Sequence, residues 1–222
     1  MLDIFDILGP IMVGPSSSHT AGAVRIGSIA RTLLGETPTK ADIGLYGSFA
    51  ETGKGHGTDR ALVAGLLGMK PDDLEIPHSF ELAANRGMEF SIHPVHLREA
   101  HPNTAVLTLE NKAGRKMVMQ ASSVGGGRIR VDRLDGVAVH FTGAFNTLII
   151  RHKDMSGILA EFAGELSSAK INIANMSLHR NRRGGDVLTM IETDQPISPV
   201  ARQLIGEIQG VESLTYYEKE ND

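Results

Sequence analysis

The residues of this sequence that could do chemistry are concentrated in one stretch, Thr52-Gly53-Lys54-Gly55-His56-Gly57-Thr58-Asp59. Glycine lets a backbone turn tightly and approach a ligand closely, so its alternation with polar side chains is typical of a binding loop. The stretch follows residues 43–49, which are typical of a strand, and precedes residues 60–69, which are typical of an apolar helix. A strand, a glycine-rich loop and a helix N-terminus together would form an anion-binding pocket.

The spacing of this stretch argues against a nucleotide-binding P-loop. A P-loop has four residues between its first glycine and the Gly-Lys pair, and a Ser or Thr directly after the lysine. Here five residues separate Gly47 from Gly53, and Gly55 follows Lys54. Phosphate binding through Lys54 and an ordinary surface loop stay open as alternatives to a catalytic loop.

A second polar cluster contains an imidazole and four hydroxyl side chains, and it follows a Gly-Pro turn. Its members are Ser16, Ser17, Ser18, His19 and Thr20. It precedes a helix that the apolar spacing predicts over residues 20–34, so the hydroxyls could simply cap that helix. One hydroxyl suffices for a cap, and the surplus therefore predicts a binding or catalytic role.

Two further segments carry candidate groups. His101 and Asn103 are two residues apart, so an extended backbone would project both side chains to one side, although a turn joining two strands would also explain the pair. The run Gly125-Gly126-Gly127 costs chain entropy and packs no side chain, which predicts that backbone must approach something closely there.

Composition restricts the class of protein. The 222 residues (23.8 kDa) can form one large or two modest domains, and a hydrophobic content of 41% with a mean hydropathy of −0.08 is typical of a soluble globular protein. The net charge of −4 and pI near 6.1 indicate neither nucleic acid nor a membrane surface as the main partner. The opening residues 1–6 carry acid and no long apolar run, which predicts a cytoplasmic protein without a signal peptide or membrane anchor.

The sequence contains no cysteine. Disulfides, thiolate nucleophiles and thiolate-bound iron-sulfur clusters are therefore excluded from these residues, and any such centre must have its ligands elsewhere. No metal site is predicted in this chain, and the nine histidines are its candidate bases.

The fold class predicted is α+β with two domains, residues 1–143 and residues 146–222. The C-terminal part alternates strand, helix, two strands, helix and strand, which is the ferredoxin-like βαββαβ order. The two strands in its middle flank the turn Arg182-Arg183-Gly184-Gly185, and the first of them is predicted over residues 173–181.

The segments His152-Lys153-Asp154-Met155-Ser156-Gly157 and Lys170-Ile171-Asn172-Ile173-Ala174 resemble an ACT domain. The resemblance implies that His152, Asp154 and Asn172 contact a small regulatory amino acid, usually across an interface between two copies. Asp154 stands where serine-binding members often have asparagine, and a carboxylate cannot donate a hydrogen bond to an effector's carboxylate. A packing module without an effector is the alternative.

The N-terminal clusters, taken in order and spacing, resemble the β portion of the iron-sulfur-dependent L-serine dehydratases, or L-serine ammonia-lyases. The clusters are residues 14–20, Tyr46-Gly47-Ser48, residues 52–59, His101-Pro102-Asn103 and residues 122–127. The resemblance implies removal of water from L-serine to give pyruvate and ammonia. It also implies a [4Fe-4S] cluster held by a cysteine-bearing α subunit, and assembly as a heterodimer or a higher, ACT-mediated oligomer.

The same resemblance implies roles for individual residues. His56 is the expected base, because an imidazole can be neutral near pH 7 whereas Lys54 would first have to lose a proton. His19 is expected beside the substrate as a second catalytic group. The expected substrate-binding residues are Ser16, Ser17, Ser18, Thr20, Lys54, His101 and Asn103. A non-catalytic subunit that senses an amino acid through its ACT domain is the alternative function.

Overall fold

The computed structural model describes residues 11–180 and 182–219. The acidic opening, residues 1–6, and the predicted strand end at Asn181 lie outside the described residues. The chain divides between Thr142 and Gly143 into two compact units. Each unit combines helices with an antiparallel or mostly antiparallel sheet, so the predicted α+β class is confirmed.

The described part of the N-terminal unit has four α-helices and a six-stranded sheet. The helices are α1 (Gly22–Leu34), α2 (Ser48–His56), α3 (Thr58–Leu66) and α4 (Ser79–Asn85). The strands are β1 (Lys40–Tyr46), β2 (Glu89–Pro94), β3 (Thr104–Glu110), β4 (Lys116–Gly125), β5 (Arg128–Leu134) and β6 (Val137–Phe141). A π-helical turn, Ser17–Ala21, leads into α1, and a 3₁₀ turn, Ile76–His78, leads into α4.

The sheet has the order β2-β1-β3-β4-β5-β6, in which only the β1–β2 pair is parallel. Helices α2, α3 and α4 form the crossover between those two parallel strands, as a parallel pair requires. Along β3, the alternate residues Ala105, Leu107 and Leu109 are fully buried, and α1 packs on β3, β4 and β5. The core of the unit therefore lies between one face of the sheet and its helices.

Helices α1 and α3 cross with their backbones in direct contact. A Cβ atom built on Gly27 would lie 2.3 Å from the carbonyl oxygen of Leu62, and one built on Gly65 would lie 2.1 Å from that of Val24. Only glycine fits at such a crossing. Because the π-helical turn continues into α1, and α2 is followed directly by α3, this crossing fixes the two parts of the N-terminal candidate site relative to each other.

The described part of the C-terminal unit has the βαββαβ order that the sequence predicts. Its elements are β7 (Asn146–Lys153), α5 (Ile158–Ser168), β8 (Ile173–Arg180), β9 (Asp186–Thr193), α6 (Pro199–Gly206) and β10 (Val211–Tyr217). The sheet is antiparallel with the order β10-β7-β9-β8. Its core is aliphatic apart from Phe162, and includes Leu148, Ile150, Leu166, Ile191 and Ile205.

The prediction of a glycine-rich loop over residues 52–59 is wrong, because residues 48–56 form helix α2. Gly47 has φ 57° and ψ −128°, and its carbonyl accepts the N–H groups of Ala50 and Glu51, which starts the helix. Gly57, with φ 70°, ends it. Inside the helix, Gly53 lies against α3, where an added Cβ would be 3.3 Å from Cβ of Thr58. Tertiary packing thus overrides the low helix propensity of glycine.

The triple glycine also has a conformational explanation. Gly125, Gly126 and Gly127 have φ values of 99°, 61° and 75° in the turn between β4 and β5. Nothing lies within 4 Å of a Cβ built on Gly125. The left-handed backbone of this turn accounts for the glycines without the close approach that the sequence predicts.

No helix in the described part of the chain is long and apolar enough to cross a membrane.

Candidate active site

His19 lies at the centre of the polar groups in the N-terminal unit. The hydroxyl of Ser16 caps the π-helical turn by accepting the N–H of His19 at 3.2 Å, which holds the imidazole against α2. Nε2 of His19 lies 3.2 Å from Oγ of Ser48 and 3.1 Å from Oγ1 of Thr52. The ring is 9% exposed and packs edge-on against Phe49 at 5.3 Å between centroids.

Helix α2 presents three polar side chains on one stripe towards His19. Ser48, Thr52 and His56 are four residues apart, so they lie one above the other on the helix surface. The ring centroids of His56 and His19 are 4.9 Å apart. A helix, and not a loop, therefore brings the two histidines together.

The electrostatics of the cluster favour a neutral His19. Burial lowers the pKa of His19, a hydrogen bond to the backbone of Ser48 acts in the opposite direction, and a nearby positive charge on His56 would lower that pKa further. Near neutral pH the ring is thus a neutral hydrogen-bonding group with one protonated nitrogen.

The hydrogen bond of His56 defines its tautomer. Nδ1 lies 3.1 Å from the carbonyl oxygen of Thr52, and because a carbonyl only accepts, this nitrogen carries the proton in the neutral ring. Nε2 is then the nitrogen with a free lone pair, and it has no hydrogen-bond partner in the described part of the chain. The side chain is half-buried. These are the properties that a general base requires.

The hydroxyl cluster beside His19 keeps unused hydrogen-bonding capacity. Ser16, Ser17 and Ser18 are half-buried at the π-helical turn. Thr20 is 2% exposed, and its Oγ1 has no hydrogen-bond partner among the residues that the structure describes. A buried polar atom without a partner is costly, so such an atom marks a place where a bound molecule completes the bonding.

The turn at His101 lies beside the first residues of α2. The carbonyl of Pro102 accepts the N–H of Phe49 at 3.4 Å, and a Cβ on Gly47 would lie 2.6 Å from that same oxygen. Nδ1 of His101 accepts the N–H of Asn103 at 3.1 Å, so Nε2 carries the proton and is a donor. This turn therefore packs against the first residues of α2 and borders the polar cluster on that side.

Lys54 is not brought to the cluster. It is exposed, and at two residues from both Thr52 and His56 it lies on the other side of α2. Ser48 and Thr52, in contrast, contact His19 although the sequence interpretation assigned them no role. The four-residue steps from Ser48 to Thr52 and from Thr52 to His56 are a signal for them in the sequence, but this spacing has meaning only once the segment is known to be helical.

In the C-terminal unit, His152 does not have the exposure that an effector contact requires. It is 1% exposed, its Nδ1 lies 2.7 Å from the carbonyl of Lys153, and its Nε2 lies 2.8 Å from Oγ1 of Thr189. Its ring packs edge-on against Phe162. The contact of His152 with an effector stays a prediction, and inside this unit both of its nitrogens already have partners.

Asp154 and Asn172 lie at opposite ends of the second sheet. Asp154 accepts from the N–H of Gly184 at 2.9 Å and from Arg180 at 3.0 Å, and these bonds hold the pKa of its carboxyl below the usual range. Asn172 donates to Asp194 at 2.6 Å, beyond the other end of β9. Since the eight residues of extended strand β8, with seven rises of about 3.3 Å between them, separate the two ends, these ends are about 23 Å apart.

Comparison with known proteins agrees with this division of the chain. The sequence matches the family described as serine dehydratase beta chain over residues 1–89 and the ACT domain family over residues 146–209. It is 36% identical over 212 residues to the L-serine dehydratase, beta chain, of Peptoniphilus asaccharolyticus, covering 95% of this chain and 94% of that protein. It is 40% identical over 194 residues to the probable L-serine dehydratase, beta chain, of Bacillus subtilis (strain 168), covering 87% and 88%.

The class of this chain is defined by an α+β unit that holds the paired histidines, followed by an ACT domain. At this identity and coverage, the chain belongs to the family of L-serine dehydratase beta chains. The resemblance stated from the sequence is confirmed.

Proposed function

We propose that this chain is the β subunit of a two-chain L-serine dehydratase that converts L-serine to pyruvate and ammonia in the cytoplasm. The observation that carries the proposal is the pair His19 and His56, with ring centroids 4.9 Å apart and Nε2 of His56 unpaired among the described residues. The names of the two full-length relatives support the same activity.

In the proposed reaction, Nε2 of His56 takes the α-proton of serine. The electron pair of the Cα–H bond forms a Cα=Cβ double bond, and the Cβ–O bond breaks. The departing hydroxyl takes up the proton held by His56 and leaves as water, which returns His56 to its neutral form. The product, aminoacrylate, tautomerises to an imine that water hydrolyses to pyruvate and ammonia. His56 begins the cycle neutral, which its Nδ1–H bond to Thr52 permits.

Binding of serine falls to the groups around the pair. The hydroxyls of Ser17, Ser18 and Thr20 and the Nε2–H of His101 donate to its carboxylate. The neutral His19, whose two ring nitrogens bond to Ser16 and Thr52, holds these groups beside His56. Asn103, which lies beside His101 in the turn before β3, is the remaining polar group expected around the substrate. Substrate contact by Lys54 stays a prediction, because its position on α2 gives it no support.

An iron-sulfur cluster would require ligands from another chain. This chain has no cysteine, and its described residues contain no group of three or more metal-ligating side chains, so these residues do not fit a cluster site by themselves. We infer that a cysteine-bearing α subunit holds a [4Fe-4S] cluster, which when bound supplies a Lewis acid for the departing hydroxyl. The contribution of this chain is to bind serine and to remove its α-proton.

The test is purification of this chain together with its cysteine-bearing partner under anaerobic conditions, followed by an assay of pyruvate formed from L-serine. We expect activity from the two chains together and none from either alone. Full activity of the partner alone would favour the other hypothesis, a regulatory subunit that acts through the ACT domain.

A regulatory role for the C-terminal unit is the second candidate function. Asp154 and Asn172 are too far apart within one copy to share a ligand, but β8 is an edge strand, and two copies paired antiparallel along it would bring Asp154 of one near Asn172 of the other. We propose this ACT-mediated dimer as the form that binds an effector. Calorimetry of the full chain with L-serine tests it, since an absence of heat at millimolar ligand favours a packing module.

A further inference from the structure

We infer that Thr52 is a positioning residue that fixes which nitrogen carries the proton in both His19 and His56. The structural part of this inference stands on the hydrogen bonds of Thr52 alone, whereas its effect on turnover rests on the proposed function. No other described residue bonds to both rings.

The hydroxyl of Thr52 determines the state of His19. It has one proton, which it donates to the carbonyl of Ser48 at 2.9 Å, one turn earlier in α2. Towards Nε2 of His19, at 3.1 Å, the same oxygen can then only accept. A neutral His19 must therefore carry its proton on Nε2, which leaves Nδ1 to accept from the hydroxyl of Ser16 at 3.4 Å.

The carbonyl of Thr52 determines the state of His56. It accepts the proton of Nδ1 at 3.1 Å, so Nε2 of His56 is left as the basic nitrogen. One residue thus gives the neighbouring rings opposite tautomers: His19 is protonated at Nε2 and His56 at Nδ1. Neutral His19 also keeps a positive charge away from His56, which would otherwise be a weaker base.

Three variants separate the positioning role of Thr52 from the bulk of its side chain. Thr52→Val keeps the shape of the side chain but removes the hydroxyl, so the hydroxyl of Ser48, 3.2 Å from Nε2 of His19, becomes free to donate to it. We expect His19 to move to the Nδ1–H tautomer. Thr52→Ser restores the hydroxyl, and Ser48→Ala leaves the Thr52 acceptor in place, so both should keep Nε2–H.

The first readout is the tautomer, measured by nitrogen-15 NMR of the full chain with labelled histidine. We expect His19 to be mainly Nε2–H in the wild type, in Thr52→Ser and in Ser48→Ala, and at least half Nδ1–H in Thr52→Val. An unchanged tautomer in a folded Thr52→Val chain would overturn the inference, as would the same shift in Thr52→Ser.

The second readout is turnover of L-serine by the assembled enzyme. We expect Thr52→Val to lower kcat about five- to tenfold, the scale of one hydrogen bond, with KM nearly unchanged and with recovery in Thr52→Ser. If no assembled variant, the wild type included, acts on serine while the tautomer changes as expected, the proposed function fails and the positioning role stands. If the tautomer does not change, the positioning role fails whatever the activity.

Discussion

His19 and His152 are both buried imidazoles, one in each unit of the chain, and they differ in what surrounds them. Both nitrogens of His152 are paired inside its own unit, and its ring packs on Phe162. Among the described residues, His19 instead lies beside a hydroxyl without a partner, that of Thr20, and beside a second imidazole with a free nitrogen. Burial alone therefore does not identify a functional histidine, whereas unused bonding capacity around it does.

The largest effect expected from this difference is on turnover. His56→Gln removes the basic nitrogen, and we expect kcat of the assembled enzyme to fall by about 10² to 10⁴, the usual contribution of a general base. Pyruvate formation measures it, with the iron absorption and thermal midpoint unchanged. His96→Gln, an exposed histidine outside the cluster, is the matched control. Wild-type turnover in His56→Gln would contradict the assignment of the base.

A second test concerns the packing role of His152. His152→Ala leaves a cavity and removes the partners of Thr189 and of the Lys153 carbonyl, so we expect the free energy of unfolding to fall by about 2–4 kcal/mol. Thr189→Val removes one hydrogen bond and should cost about 1 kcal/mol. Urea denaturation measures both. If His152→Ala were as stable as the wild type, His152 would have no packing role, and the proposed difference between His152 and His19 would be contradicted.

The glycines of the two units provide a third comparison. Gly65→Ala would place a Cβ 2.1 Å from a backbone oxygen of α1, and we expect a loss of about 1–3 kcal/mol from this overpacking. Gly164 is at an exposed position of α5, with nothing within 4 Å of an added Cβ, so Gly164→Ala should raise stability by up to about 1 kcal/mol. Thermal denaturation should give shifts of opposite sign, and shifts of the same sign would contradict the close helix crossing.

The smallest effect expected is on the pH dependence of stability. The pKa of His19 is lowered, so below about pH 6.5 the unfolded chain binds a proton that the folded chain does not, and stability is lost as the pH falls. The pKa of His93 is raised by its hydrogen bond to Asp42, so its contribution is present at low pH and lost as the pH rises through that pKa.

Thermal midpoints at pH 7.5 and 5.5 distinguish the two. His19→Gln should lose less stability on acidification than the wild type, and His93→Gln should lose more. Identical pH responses of the two variants would show that neither shift contributes to folding.

Most of the fold could be predicted from the sequence because strands and turns carry local signals. The hairpin of β5 and β6 follows from Asp135-Gly136, which indeed adopts positive φ at both residues, and the C-terminal order follows from periodicity. Helix α2 could not be predicted in this way, since Gly53 and Gly55 favour a loop until α3 and the His101 turn pack around them.

The site was predicted in part, because residue type indicates chemistry but not accessibility. His19, His56 and Ser16 lie together in the structure, and their shared role stays a prediction. Lys54 lies on the other side of α2, and His152 is buried, since neither helix phase nor burial can be inferred from a short motif. Ser48 and Thr52 become visible only after the helix is established.

Helix α2 has nine residues and two internal glycines, so in isolation it would not persist in water. Its amide hydrogens should therefore exchange with solvent through local opening, sooner than those of helix α3, in which seven of nine residues are buried. Any molecule that binds the histidine pair adds its binding free energy to the closed form and slows that exchange. Protection of the α2 amides is thus a reporter of site occupancy that needs no catalytic turnover.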